Sequence, residues 1–290
     1  MKTRWISPCI AKLLSPFLAV IFSFSVYSQP AKGSLFIIGG GSRSPELMKQ
    51  LVSTADLSVK DYVVVLPMAS EEPEESFQAV AQQFRAAGVN KITCFNFTKE
   101  TTVRKPWCDS TAQAKIIFIT GGSQDRFMDI VRGTPVYDAI HDAYRKGATI
   151  AGTSAGAAVM SHKMITGNQL KGDTSYKETF DKLWDKNIEF KQGMGLLHSV
   201  IIDQHFLKRS RYNRLLSALA ANPSYTCIGI DEGTAIIVKG KHIKVAGDSQ
   251  VIRVSQPKGL QVNAKGLIRL KDLKFSVFAA GDEFDLPQTP

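Results

Sequence analysis

Ala148-Thr149-Ile150-Ala151-Gly152-Thr153-Ser154-Ala155-Gly156-Ala157-Ala158-Val159-Met160 is the stretch from which the rest of the chain is read. A run of small and apolar residues, legible as a buried strand, meets Gly-x-Ser-x-Gly and then a run of small helix formers. Strand, sharp turn and helix in that order present a serine hydroxyl at the end of a sheet, with flanking glycines that let the backbone bend. The backbone N–H of Ala155 would then face the place where an oxyanion forms. The same five residues also fit a glycine-rich turn with Ser154 as a plain helix cap, so the surrounding sequence has to decide.

On both sides, apolar runs alternate with amphipathic segments. Leu35-Phe36-Ile37-Ile38 runs into Gly39-Gly40-Gly41, after which Ser44-Pro45-Glu46 reads as an N-cap, a proline at the first helical position and an acidic first turn. The triplet lacks Gly-x-Gly-x-x-Gly spacing and any Gly-Lys-Ser/Thr, so it reads as a tight crossover turn rather than a phosphate loop. The unit repeats: strand over 62–66, helix over 73–87 ended by Gly88, strand over 91–97, then strand over 115–120 entering Gly121-Gly122-Ser123-Gln124. A helix over 135–146 stops at Gly147, and the Ser154 strand follows. Strands apolar on both faces and alternating with helices predict an α/β fold, with a doubly wound, mostly parallel sheet covered by helices on both sides. Ligands in such sheets bind at the carboxyl ends of the strands, and the turns at Gly39, Gly121 and Gly152 are expected to share that rim.

Further on, 167–192 is polar and charged with no clear strand, and reads as an excursion over the rim. Ser199-Val200-Ile201-Ile202 leads into Asp203-Gln204-His205-Phe206 and a helix through Ala221; a strand over 225–230 ends at Asp231-Glu232-Gly233. Residues 234–254 read as antiparallel hairpin strands with Lys239-Gly240-Lys241 as one turn. No long Pro/Gly/Ser linker divides the chain, so one domain over 29–290 is expected.

Residues 1–28 read as a secretory signal: Lys2 and Arg4 start it, 10–26 is mostly apolar, and Ser28 offers a small residue for cleavage. Lys12 and Pro16 interrupt a run already short for a span, so no stable membrane anchor is expected after processing. Cys9 has no small residues leading into it, which argues against a lipoprotein anchor. The mature protein is expected outside the cytoplasm, secreted or periplasmic. At 44% hydrophobic and 21% charged residues, the chain has the composition of a folded domain and not of a disordered one. The formal charge is +10; without Lys2, Arg4 and Lys12 it leaves 33 basic against 26 acidic residues, spread along the chain, with no nucleic-acid motif. Cys94, Cys108 and Cys227 remain, an odd number that is no disulfide framework, although an oxidising compartment would allow Cys94 and Cys108 to pair. Their spacing fits no zinc pattern; no metal and no cofactor are expected.

A serine hydroxyl needs a base, usually a histidine oriented by a carboxylate. Of five histidines, His205 alone follows an apolar strand at the expected rim. Asp231 and Glu232 end another strand, and either would serve as its partner. The helix expected after His205 carries Lys208, Arg209, Arg211 and Arg214, with Tyr212, Leu215, Leu216 and Leu219 as its core stripe. Cations in a first helical turn oppose the macrodipole, and an anionic ligand there would reverse that penalty. The Gly121-Gly122 turn supplies a second oxyanion donor opposite Ala155, taken here as Gly122.

Together, Gly152-Thr153-Ser154-Ala155-Gly156-Ala157, Gly121-Gly122-Ser123-Gln124, Asp203-Gln204-His205-Phe206 with Arg209, Arg211 and Arg214, and Gly229-Ile230-Asp231-Glu232 resemble the serine peptidase family that contains cyanophycinase and peptidase E. The likeness runs to Ala280-Gly281-Asp282-Glu283-Phe284-Asp285. It implies a flavodoxin-like or class I glutamine amidotransferase-like sheet, usually dimeric, with Ser154 as nucleophile, His205 as base and Glu232 as its orienting acid. Gln124, Asp203, Gln204, Arg209, Arg211 and Arg214 would contact substrate. That substrate would be cyanophycin, polyaspartate carrying arginine on each side chain, cut to β-Asp-Arg dipeptides. A peptidase E-like dipeptidase acting on short Asp-containing peptides and a non-catalytic envelope binding protein are the competing expectations. Ser123 stands where this family commonly has asparagine.

Overall fold

The computed structural model describes residues 32–286, with positions 1 and 3 ahead of them; apart from those two positions the expected signal segment 1–28 lies outside the described residues. The first half runs β1 (Ser34–Ile38), α1 (Pro45–Ala55), β2 (Val63–Leu66), α2 (Pro73–Ala86), β3 (Ile92–Cys94), α3 (Lys105–Gln113), β4 (Ile116–Ile119), α4 (Gln124–Val131), α5 (Pro135–Lys146), β5 (Thr149–Thr153) and α6 (Ala155–Ala158). Then come β6 (Lys163–Gln169), β7 (Ile188–Gln192), β8 (Val200–Gln204), α7 (Tyr212–Ala221) and β9 (Thr226–Ile230). The chain closes with β10 (Thr234–Lys239), β11 (His242–Gly247), β12 (Gln250–Lys258), β13 (Gln261–Val262), β14 (Ile268–Arg269), β15 (Asp272–Ala279) and β16 (Glu283–Asp285).

The main sheet has the order β16-β11-β10-β1-β5-β4-β2-β3. Its β1, β5, β4, β2 and β3 are parallel, and β10, β11 and β16 extend it antiparallel beyond β1. The continuous apolar runs are explained by two cores, one on each face. Leu35 and Ile37 of β1, Val64 and Leu66 of β2, and Ile117 and Ile119 of β4 pack with α5 on one side. Phe36, Ile38, Val63, Val65, Ile116 and Phe118 pack with α1 and α2 on the other. Ser44 caps α1 as its sequence predicts, its Oγ accepting from the Leu47 N–H at 3.2 Å. Pairing in register puts Ile38 beside Thr153 and Gly152 beside Ile119, so the turns after β1, β4 and β5 share one rim.

Four features depart from the expectations. First, β8 and β9 do not join the main sheet; they pair parallel with each other in a second sheet of order β15-β12-β9-β8. The vacant edge of β1 is taken by β10, paired over all five residues of β1, and the second sheet instead lays Ile202, Ile228, Ile230 and Val251 against the main core while α7 covers its other face. Second, 167–192 is not strandless, because β6 and β7 form an antiparallel pair there, its register broken between Ile165 and Gln169. Third, the helix after His205 begins at Tyr212, so Lys208, Arg209 and Arg211 lie in the turn before it and only Arg214 is in its first turn. Leu215 and Leu219 are core, whereas Tyr212 is exposed and packs edge-on against Phe206. Fourth, α4 fills a stretch left unassigned between Gly122 and Pro135, capped by the Ser123 Oγ, which accepts from the Arg126 N–H at 3.2 Å. Cys94, Cys108 and Cys227 are all unbonded. Among the described residues no helix is long and apolar enough to cross a membrane.

Candidate active site

Ser154 sits between β5 and α6 with φ 54° and ψ −111°, a sparsely populated conformation that costs of order 1–3 kcal/mol and is held only where its surroundings enforce it. The flanking glycines make the turn possible by close approach: a Cβ on Gly152 would overlap the Gly156 carbonyl, and one on Gly156 would overlap that of Ile119. The Ser154 N–H donates to Ile38 O at 3.1 Å, tying the turn to the end of β1.

His205 reaches this turn from the second sheet. Its own N–H donates to Gly39 O at 2.7 Å, which joins the end of β8 to the end of β1. The Ser154 Oγ–H donates to His205 Nε2 at 2.8 Å, and His205 Nδ1–H donates to Glu232 Oε1 at 2.6 Å. The glycine triplet after β1 is the floor beneath this pair. Gly40 has φ +115°, and a Cβ on it would lie 2.5 Å from His205 Nε2; one on Gly41 would lie 2.7 Å from Glu232 Cβ. Burial pushes the His205 imidazole below its ordinary value of 6.5, against the opposite pull of Glu232, while the charges of Arg209 and Arg211 add to the lowering. A neutral ring at pH 7 leaves Nε2 free to accept the serine proton.

Asp231 and Glu232, between which strand-end position alone does not choose and of which the resemblance implies Glu232, have different partners. Glu232 meets His205; Asp231 accepts instead from the Lys208 N–H at 2.9 Å and the Ser249 Oγ–H at 2.7 Å, closing the turn before α7. Gly122, in the turn after β4, borders the same space as Ser154. Among the described residues neither the Gly122 nor the Ala155 amide has a hydrogen-bond partner within the chain. Gly121 packs its Cα side on Ser154, where a Cβ would lie 3.3 Å from the serine Cβ.

Beside Ser154 opens a cavity of about 420 Å³ whose lining includes Gln124, Gln204, Arg209, Arg211 and Arg214. The residues behave differently within it. Gln124 Nε2 donates to Thr166 O at 2.7 Å and Ile165 O at 3.1 Å, fixing β6 to the wall. Arg211 is 1% exposed and fully engaged, donating to Gln204 O (2.7 Å), Gln204 Oε1 (2.9 Å), Tyr176 Oη (3.0 Å) and Glu178 O (3.1 Å); burial and the neighbouring Arg214 push its guanidinium down to about 10. Arg209 is the more open of the three, held loosely by Tyr176 and Glu178. Asp203 departs from its expected role. It is 1% exposed, lies behind the cavity, and accepts from two of the three Arg214 nitrogens, Nε at 2.8 Å and Nη2 still closer. Asp203 therefore anchors Arg214, and a ligand guanidinium has no access to it.

Sequence reasoning missed Tyr176 and Thr166, which the β6–β7 excursion brings to the cavity, and Arg43, Thr120 and Thr153, which border a second cavity on the other side of Ser154. A usable signal existed for Arg43, a cation two residues after a glycine turn on the shared rim. No group of three or more His, Cys, Asp or Glu side chains suited to a metal occurs among the described residues.

A mostly parallel α/β sheet, a serine on a strained strand-to-helix turn, and a histidine and glutamate bonded to it in series define a serine-type peptidase. The chain belongs to peptidase family S51, whose model matches residues 35–246. It is 32% identical over 274 residues to the cyanophycinase of Nostoc sp. (strain PCC 7120 / SAG 25.82 / UTEX 2576), covering 90% of this chain and 88% of that one. It is 30% identical over 268 residues to the cyanophycinase of Geminocystis herdmanii (strain PCC 6308), with 89% and 95% covered. Likeness to the peptidase E of Pasteurella multocida (strain Pm70) is 26% over 148 residues, half of this chain and 59% of that one. Among solved structures, a peptidase from an acI-B1 Actinobacterium superposes with a TM-score of 0.67 at 21% identity, over 88% of this chain and 98% of that one, a likeness of fold.

Proposed function

We propose that the protein is an exported exopeptidase that hydrolyses cyanophycin to β-Asp-Arg dipeptides, with Ser154 as nucleophile, His205 as base and Glu232 as the group that holds His205. The observation that carries this reading is the unbroken hydrogen-bond series Ser154–His205–Glu232 opening onto the arginine-lined cavity. His205 Nε2 takes the Ser154 proton as Oγ attacks the scissile carbonyl. The oxyanion is held by the Gly122 and Ala155 amides, each such donor being worth about 10²–10³ in turnover. As the C–N bond breaks, His205 returns that proton to the departing nitrogen, and water then releases the acyl half by the reverse route.

Cyanophycin presents carboxylates, which suit the open guanidinium of Arg209. Its own guanidinium needs acids other than Asp203; Glu178, bonded to Arg209, and Glu189, bonded to Thr166 at 2.7 Å, stand next to the lining. The basic and then apolar start of the chain supports export, and an insoluble polymer met outside the cell has to be cut before uptake. A single domain over 29–290 and a homodimeric assembly belong to the same reading. The test is incubation of the purified mature protein with cyanophycin, products read by mass. Release of β-Asp-Arg, reduced about 10⁴-fold or more in Ser154→Ala, is the expected outcome. Cleavage of short Asp-X peptides alone would assign the peptidase E-like activity instead, and undiminished hydrolysis by Ser154→Ala would remove the mechanism.

A further inference from the structure

The arginine cavity is only one side of Ser154. On the other side lies a second cavity of about 370 Å³, bordered by Ser154, Gly122 and His205 and walled by Arg43, Thr120 and Thr153. His205 borders this cavity and not the arginine-lined one. If Ser154 and His205 act as above, on which this inference rests, the departing nitrogen receives its proton from His205 Nε2. The leaving half of the substrate then lies on the His205 side, and the acyl half in the arginine cavity.

The walls of the second cavity are unfinished in a way that matches an anionic polar ligand. The Thr120 and Thr153 hydroxyls, on residues only 2% and 5% exposed, have no hydrogen-bond partner. Leaving such a group unpaired is unfavourable. Arg43 is half-buried, and among the described residues its one hydrogen bond is from Nε to Gln83 Oε1 at 2.8 Å, so both terminal nitrogens of the guanidinium are uncommitted. No carboxylate lines this cavity to neutralise it. As a plain strut, Arg43 would need only its Nε bond and its stacking over Phe118, 5.7 Å from the ring centroid; neither uses the two terminal nitrogens.

We propose that this cavity is the leaving-group subsite, in which Arg43 binds the free main-chain carboxylate of the departing unit, with Thr120 and Thr153 in the polar wall beside it. An internal unit of a polymer has its main-chain carboxyl in a peptide bond, whereas a terminal unit presents it free. Reading the main-chain carboxylate, rather than the arginyl carboxylate that every unit carries, would confine cleavage to the chain end, which is what an exopeptidase requires.

The experiment compares two substrates with one acyl half: a two-unit cyanophycin fragment, and the same fragment with its terminal main-chain carboxylate converted to carboxamide. Asp-Leu and Asp-leucinamide form the equivalent pair for a short-peptide enzyme. Wild type should prefer the carboxylate about tenfold or more in kcat/KM. Arg43→Gln should lose that preference through the carboxylate substrate alone, with the carboxamide within twofold, and Arg43→Lys should restore part of it. Gln83→Leu, which removes the strut bond and keeps the guanidinium, should retain the preference. Equal losses on both substrates in Arg43→Gln, or a wild type that cleaves both equally, would overturn the subsite while leaving the Ser154 mechanism standing. Unchanged cleavage by Ser154→Ala would instead overturn the underlying reading.

Discussion

Gly40→Ala tests whether the glycine triplet exists to seat the histidine. The added Cβ would stand 2.5 Å from His205 Nε2 and 2.8 Å from Nδ1, where ordinary contact begins at 3.4 Å. His205 cannot slide along its strand, because its N–H is held by Gly39 O at 2.7 Å and its Nδ1 by Glu232 at 2.6 Å. The ring has to withdraw by about 1 Å, and an error of that size in catalytic geometry costs about 10²-fold. The positive φ adds about 1–2 kcal/mol of strain, or roughly 2–8 °C in Tm for a chain of this size. Gly88→Ala separates the two effects: Gly88 also has positive φ, +88°, but its Cβ would meet nothing within 4 Å. Thermal melts should show a Tm loss in both variants, at least as large in Gly40→Ala, and are read beside steady-state kinetics with cyanophycin and the rate of Ser154 labelling by a fluorophosphonate. Only Gly40→Ala should lose activity and labelling, each about 10²-fold. A Gly40→Ala enzyme within threefold of wild type, or a Gly88→Ala enzyme equally impaired, would refute the reasoning.

Two further outcomes follow from the site's electrostatics. Burial lowers the His205 pKa, so kcat/KM should fall on acidification with a midpoint below 6.5, the ordinary value; a midpoint near 7 or above, in a pH profile taken with saturating buffer, would contradict a desolvated base. The direction follows because the neutral ring is the working form, and depressing its pKa extends activity to lower pH. Asp203→Ala should destabilise by about 3–5 kcal/mol in urea unfolding, since it leaves the buried Arg214 guanidinium without its counter-charge; a loss under 1 kcal/mol would mean that the pair is not the anchor it resembles.

Much of the fold was legible because it rests on local rules. Strands apolar on both faces, proline at the first position of α1, α2 and α5, and the glycine stops after α2 and α5 are all written in short windows of sequence. Gly-x-Ser-x-Gly identified the turn, and a strand-end position singled out His205. What those windows do not contain is which edge a strand finds. β8 and β9 are buried on every residue, like the strands of the main sheet, so their composition is the same whether they join it or form another. Occupation of the β1 edge by β10 decided that, and with it the angle from which His205 meets Ser154. Tertiary structure likewise chose Glu232 over the adjacent Asp231, turned Asp203 from a ligand contact into the anchor of Arg214, and placed Arg43 across the serine from the arginine cavity. Residue type sets what chemistry a side chain is able to do; the neighbours that the fold brings to it set which of those things it is left free to do.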